Sequence, residues 1–396
     1  MVFYCRNRGS CYNIAMNKTT KYIVGLVVVV LVALVISAIS PKQSGLNEPI
    51  KIGYIGPLSG DGASYGETEK NAIELALTEL ALDSKSKNPK FEIVYEDGKC
   101  NGKDAASAIQ KLISVDKVSI IFGGTCSAET LSMAPIAEQN KVLLLSAFSS
   151  NPEITKSGDY IFRNSPKDTD VAYLDAETIA KKYKKVALVS ENTDYSLGVR
   201  EVMKTVFSEK KIEVVADETY TNTGSGVSDF RSILTKIKSS NPEVLYINPG
   251  TSAKAGGIVV KQARELGITA PIHGNFSLGT PDALGTGGEY MNGVVISDAS
   301  NLANNGNKVL EAYKNQFGKD PANNLLMGAS YDRVIILKDA VLKVGMDVEK
   351  IKQYLYDITN FSGTIGDYHF DENGDVVGVG FINVVLKDGQ KIPYSG

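Results

Sequence analysis

Past residue 50 the chain alternates short apolar runs with longer stretches whose apolar positions recur every three or four residues. The run 51–55 predicts a strand. After a glycine-rich turn, Ile73, Ala76, Leu77 and Leu80 fall at i, i+3, i+4 and i+7, one face of a helix over 68–82. Strands over 91–95, 119–122 and 142–145 and helices over 103–115 and 129–139 continue the alternation. A polar stretch at 149–166 interrupts it. The pattern then restarts, with helices over 171–183, 197–208, 229–238 and 256–266 and strands over 185–189, 213–217 and 244–247. The last hundred residues predict helices near 307–317, 325–342 and 348–358. A strand pair follows around 361–370 and 376–385, turning through Asp371-Glu-Asn-Gly-Asp375.

Such alternation with short connections is the signature of a parallel sheet covered by helices on both faces. Two units of this kind with leftover elements at the C-terminus predict an α/β protein. It would consist of two doubly wound parallel-sheet lobes joined by a hinge that the chain crosses more than once. The expected division is 50–167 with 298–370 for the first lobe and 168–297 with 371–396 for the second. Hinges are expected near 165–168, 297–299 and 370–374. Ligands of open α/β sheets bind at the carboxyl ends of strands, so two facing lobes predict a cleft there.

Residues 22–39 form a different pattern: eighteen residues without a charge, preceded by Lys18 and Lys21. At 1.5 Å per residue the run just reaches across a hydrocarbon core of ~30 Å. The basic flank keeps the N-terminal side in the cytoplasm, so everything after Ser40 is expected outside. Pro41 sits badly for cleavage after Ser40, and no Cys follows to carry a lipid. An uncleaved membrane anchor over 1–40 is therefore favoured over a cleaved signal, with 41–49 as a spacer. Met16 reads like a natural start, which leaves Met1 or Met16 open as the first residue.

Composition is ordinarily globular, with 43% hydrophobic and 22% charged residues. The net charge of −3 is uneven: 1–40 hold four basic and no acidic side chains, leaving 38 basic against 45 acidic in the rest. A mildly acidic body lacks the clustered Lys and Arg that phosphate neutralisation needs, which excludes nucleic acid.

Gly60-Asp-Gly-Ala-Ser-Tyr-Gly66 carries two tempting motifs. It approximates a dinucleotide fingerprint with Glu96 as the ribose acid, but the glycine spacing is wrong and an exported protein meets no cytosolic NAD. It also matches GxSxG with Ser64, yet about eight residues separate Ser64 from the strand that a nucleophile elbow requires. A loop shaping a pocket is the better reading. With two His, His273 and His369, and no metal-binding motif, the sequence predicts no metal, no cofactor and no enzymatic activity.

Cys100 and Cys126 are the two cysteines of the exported part, each just past a predicted strand. They read as a disulfide or as two unlinked buried thiols. The loop Gly123-Gly-Thr-Cys-Ser127 opens a helix, where free N–H groups and hydroxyls favour an anion. Ser146-Ala-Phe-Ser-Ser-Asn151 is a second hydroxyl-rich loop after a strand. On neighbouring strands the two make a polar shelf.

Ile52-Gly-Tyr-Ile-Gly-Pro-Leu-Ser-Gly60, Ala63-Ser-Tyr-Gly66, Tyr95-Glu-Asp97, Gly123-Gly-Thr-Cys-Ser127, Asn151-Pro-Glu-Ile-Thr155, Phe162-Arg163, Lys261-Gln-Ala-Arg264 and Phe370-Asp-Glu-Asn-Gly-Asp375 occur in this order. Together they resemble the leucine/isoleucine/valine-binding type of extracytoplasmic solute-binding protein, within the type 1 periplasmic-binding fold, over roughly 50–390. The resemblance implies a hinged clamp that captures a small-molecule solute and delivers it to an ABC permease in the membrane. It implies that Ser127 and neighbouring amides bind a ligand carboxylate, and that Phe148, Ser149 and Ser150 form the loop serving the head group. Tyr65 and Tyr195 match cleft-lining aromatics, and Cys100–Cys126 matches a family disulfide.

The family's amino-acid binders place an acid after a second-lobe strand to hold the ligand ammonium. Here that region reads His273-Gly-Asn-Phe-Ser277, so Asn275 and Phe276 stand in its place and Asp168 or Asp194 is a conceivable substitute. Members without that acid often bind amides or other solutes. The expected ligand is thus a branched-chain amino acid or a related amide or carboxylate. A monomer is expected, outside the cytoplasm and anchored to the membrane. The rival is a membrane-tethered sensor that signals to a partner instead of feeding a permease, and an exported Ser64 hydrolase is a distant third.

Overall fold

The computed structural model describes residues 3–6, 10–13, 49–83, 85–222, 229–299 and 302–396. The apolar run 22–39, where the membrane anchor is expected, lies outside the described residues. Among the described residues no helix is long and apolar enough to cross a membrane. Near the N-terminus, β1 (Phe3–Arg6) and β2 (Ser10–Asn13) pair antiparallel as a unit of their own, with Cys5 opposite Cys11.

From Pro49 onward two sheets organise the chain. The first holds β3 (Ile50–Gly56), β4 (Phe91–Asp97), β5 (Ile120–Gly123), β6 (Leu143–Ser146) and β7 (Ile161–Arg163), all parallel, in the order β4-β3-β5-β6-β7. Helices cover both faces, so successive side chains of one strand enter different cores. Ile52, Tyr54, Ile120 and Phe122 meet the long helix Asn324–Val344 on one face. Ile55, Ile121 and Leu144 meet the helices Gly102–Ser114 and Ser127–Asn140 on the other. That is why these strands read as unbroken apolar runs rather than alternating ones.

The second sheet runs β17-β16-β12-β11-β10-β8-β9. Its strands β8 (Lys185–Glu191), β9 (Glu213–Tyr220), β10 (Val244–Asn248), β11 (Ile272–Gly274) and β12 (Val295–Ala299) are parallel. A hairpin of β16 (Phe381–Lys387) and β17 (Gln390–Pro393) adds antiparallel to β12. Val186, Leu188, Val244 and Tyr246 fill one core and Ala187, Val189, Leu245 and Ile247 the other.

The chain passes between lobes three times. It first crosses between β7 and the helix Asp168–Ala180, whose Ala172, Ala176 and Ile179 join the second lobe. It returns between β12 and the helix Gly306–Phe317, whose Val309 and Tyr313 join the first. The last passage differs from the expected 370–374. β13 (Phe361–Gly363), β14 (Gly366–Phe370) and β15 (Val376–Val377) form one small sheet against the first-lobe core, and the crossing comes only before β16. Two contacts hold the turn back. Val376 is buried in that core, and Asp375 pairs with Arg163 at the end of β7, Nε to Oδ1 2.5 Å, both side chains almost fully buried.

Candidate functional site

The carboxyl ends of both parallel sheets face one cleft of about 320 Å³, lined by residues of both lobes. On the first lobe, β5 ends in Gly123 and the chain turns through Thr125 and Cys126 into the helix Ser127–Asn140. Buried bonds fix this turn from behind. Ser146 Oγ donates to Gly124 O (2.7 Å) and Ser149 Oγ donates to the same carbonyl (2.8 Å). Thr130 Oγ1 lies 2.6 Å from Ser149 Oγ. Glu129, fully buried, accepts the N–H of Cys126 and the N–H of Cys100, both at 3.0 Å. Burial pushes the Glu129 carboxyl up to about 8. Cys100 and Cys126 are joined as a disulfide with Cα atoms 5.1 Å apart, so the starts of two helices are tied both covalently and through Glu129.

Deeper still, Glu69 accepts from Tyr54 OH at 2.7 Å and from the Thr125 hydroxyl, and pairs with Arg333 at 3.2 Å. The Arg333 guanidinium lies 4.9 Å from the Phe122 ring centroid. This network anchors Thr125 and leaves Ser127 at the cleft surface. Ser127 is almost fully buried; its Oγ accepts the Asn151 N–H (3.3 Å), which leaves its hydroxyl proton able to donate into the cleft.

The second lobe repeats the device. Glu191, at the end of β8, accepts from Gly250 N–H (2.7 Å) and Thr251 Oγ1 (2.9 Å), bracing the loop after β10. Burial raises its pKa above the ordinary range. Thr193 caps the helix Asp194–Glu209 by accepting the Ser196 N–H. Asn275 accepts the Ser277 N–H (3.0 Å) and donates to Asn248 Oδ1 (2.6 Å) and Pro249 O (2.8 Å).

Four rings connect the lobes through the cleft. Tyr65 lies 5.5 Å from Phe148, Phe148 lies 5.3 Å from Phe276, and Phe276 lies 6.0 Å from Tyr195, centroid to centroid. Tyr65 is buried, and burial raises its phenol well above the usual value. Asn151 Nδ2 donates to Asp194 O across the lobes at 2.6 Å, and Asn222 Nδ2 donates to Asp61 Oδ2 at 2.7 Å. Both bonds require the lobes to be closed.

Of the residues expected from sequence, Tyr65, Ser127, Phe148, Tyr195 and Phe276 line this cleft together. Ser149, Ser150 and Asn275 do not. They are buried behind the lining, and Ser149 and Asn275 are committed to holding their own loops. Of the conceivable acids, Asp194 lines the cleft with its side chain exposed, while the side chain of Asp168 lies outside the described residues. Sequence reasoning missed Asn101, Asn192, Thr193, Gly250, Thr251 and Ser277 on the lining. The rule applied to β5 and β6, that polar loops following strands line the cleft, finds most of these once β8 and β10 are treated alike. Ser64 lies on the helix Ala63–Leu82 and lines a separate rim cavity with Glu67 and Lys70 rather than the cleft. Among the described residues no cluster of His, Cys, Asp and Glu could hold a metal ion.

A profile of the periplasmic binding protein family matches residues 49–390, nearly the whole of both lobes. The chain belongs to that family. It is 26% identical over 337 residues to the Leu/Ile/Val-binding protein BraC3 of Rhizobium johnstonii, covering 84% of this chain and 90% of that one. Among solved structures it resembles the leucine-binding protein LivK of Thermotoga maritima, with a TM-score of 0.77 and 28% identity. That match covers 87% of this chain and 98% of LivK. It also resembles the branched-chain amino acid transporter substrate-binding protein LivJ of Streptococcus pneumoniae, in complex with isoleucine. There the TM-score is 0.78 at 25% identity, over 87% and 98% of the two chains. These relatives are solute-binding proteins of the type 1 periplasmic-binding fold, and the chain is a ligand-binding protein of that type.

Proposed function

We propose that this chain captures a small carboxylate- or amide-bearing solute in its interlobe cleft and hands it to an ABC permease, without catalysing a reaction. It works outside the cytoplasm, held to the membrane by the apolar run 22–39. The observation that carries the reading is a cleft lined from both lobes, whose polar loops are braced from behind by buried carboxylates. The Ser127 hydroxyl and the N–H groups of Ser127 and Ala128 receive the carboxylate at a helix start, where unpaired donors and the helix dipole favour negative charge. Tyr65, Phe148, Phe276 and Tyr195 cover the remainder of the solute. The lobes, 50–167 with 298–377 and 168–297 with 381–396, close because only the closed state contacts the ligand from both sides. The names of the relatives, amino-acid binders and a transporter component, support delivery to a permease over signalling.

A thermal-shift panel of amino acids, amides and short carboxylates on the full chain tests this. A solute at a hundred times its dissociation constant stabilises by about 2.7 kcal/mol. Ser127→Ala is expected to weaken the best hit by about 1 kcal/mol, roughly fivefold, through loss of one buried hydrogen bond. Unchanged affinity in that variant removes Ser127 from the site, and silence from every solute class refutes capture itself.

A further inference from the structure

Among the described residues lining the cleft there is no Lys, Arg or His, and the single carboxylate, that of Asp194, is exposed to solvent. Three more acids lie buried around the cleft, and each is already occupied. Glu129 is held by two backbone N–H groups. Glu191 is held by the Gly250 N–H and the Thr251 hydroxyl. Glu69 is held by Arg333, Tyr54 and Thr125. None of the three is on the lining. Besides neutral hydroxyls and amides, the lining holds the four rings of Tyr65, Phe148, Phe276 and Tyr195. The rings lie tilted or edge-on to one another at 5.3–6.0 Å, a continuous wall rather than a box of faces around a cation.

A primary ammonium entering this space would leave water to meet rings, hydroxyls, the neutral amides of Asn101 and Asn192 and one solvent-exposed acid, with no buried opposite charge on the lining. Burying a charge without a close opposite charge is strongly unfavourable. A carboxylate fares differently, because backbone N–H groups and the Ser127 hydroxyl donate to it without any counter-cation. From this asymmetry we infer that the cleft selects a small carboxylate whose remaining body is uncharged and apolar, and rejects the α-amino acid of the same skeleton. The inference rests on the capture reading given above and assigns its solute class.

Titration calorimetry on the full chain with matched pairs tests it: 4-methylpentanoate against leucine, and 3-phenylpropanoate against phenylalanine, with glycine betaine as a quaternary-ammonium probe. The deaminated member of each pair is expected to bind at least about tenfold more tightly. Equal or tighter binding of leucine, phenylalanine or the betaine overturns the inference. If none of these probes binds while some other solute stabilises the chain, the assigned class fails and capture stands. If nothing stabilises the chain, both fail.

Phe276→Glu places a carboxylate in the ring wall and is expected to reverse the preference within each pair. Phe276→Gln, of the same shape and uncharged, is expected to leave it in place. A folded Phe276→Glu variant that still prefers the deaminated acids overturns the role assigned to the wall. So does a Phe276→Gln variant that switches as the Glu variant does.

Discussion

Gly198 sits in the helix Asp194–Glu209 of the second lobe, directly opposite Asn151 of the first. A Cβ added there would lie 2.9 Å from Asn151 Nδ2, 3.3 Å from its Cγ and 3.4 Å from Pro152 Cδ. The amide cannot swing aside freely. Its Nδ2 is bonded to Asp194 O across the cleft and its Oδ1 accepts the Glu153 N–H. Gly198→Ala therefore acts with opposite sign on the two states. In the open state the contact is absent and only helix propensity remains, favouring Ala by about 0.8–1 kcal/mol. In the closed state the interlobe hydrogen bond is lost, at a cost of about 0.5–1.5 kcal/mol. The ligand-free protein is expected to melt about 1–1.5 °C higher, while solute affinity falls about 2- to 12-fold. Scanning calorimetry reads the first and titration calorimetry the second. A lower melting temperature together with unchanged or tighter binding would refute the argument, because it would mean that closure does not press these two elements together.

Two further expectations follow from the braced loops. Replacing Cys100 and Cys126 by Ser opens a loop of 26 residues, which the chain-entropy model values at about 3.5 kcal/mol. Because Glu129 still grips both N–H groups, the folded double variant is expected to keep its solute affinity within about twofold. Chemical denaturation with parallel titrations checks both, and a collapse of affinity in the folded variant would assign the bracing to the disulfide alone. Glu129 also sets a pH dependence. Its folded pKa, about 8, lies above the unfolded value, so between pH 7 and 8 the folded state holds more protons and stability falls as pH rises. Asp175, raised to about 7, contributes mainly below this window, and His273, lowered to about 4 by burial, acts only below about pH 6.5. Asp375, held below the usual carboxylate range in its pairing with Arg163 although burial opposes it, loses its contribution only in strong acid. Glu129→Gln is expected to flatten melting temperature against pH between 7 and 8 whatever its absolute stability, and an unchanged slope would count against Glu129 as its source.

The alternation of strand and helix, and hence two parallel-sheet lobes, was legible along the chain because strands buried on both faces are written as apolar runs and amphipathic helices as three-four repeats. Sequence reading missed β7, β11 and β12, whose apolar runs are cut to one or two residues by Arg163, His273 and Ser297, whereas β5 and β6, only four residues each, open on three apolar residues in a row. It also named the loops after β5 and β6, since small hydroxyl residues following an apolar run mark a strand's carboxyl end. Which side chains in those loops face the cleft was a tertiary matter. Ser127 and Ser149 are the same residue type in similar loops, yet one opens to the cleft and the other binds Gly124 O and Thr130 behind it. Asn275 and Phe276 are neighbours, and only the ring reaches the lining because the amide is taken up by Asn248 and Pro249. The third crossing was decided in the same way. Asp375 and Arg163 are 212 residues apart in sequence, and no local pattern can show that their pairing keeps 371–377 with the first lobe. Periodicity reports what a segment buries, whereas the partner of a buried polar group, and so what is left free for a ligand, exists only once distant segments meet.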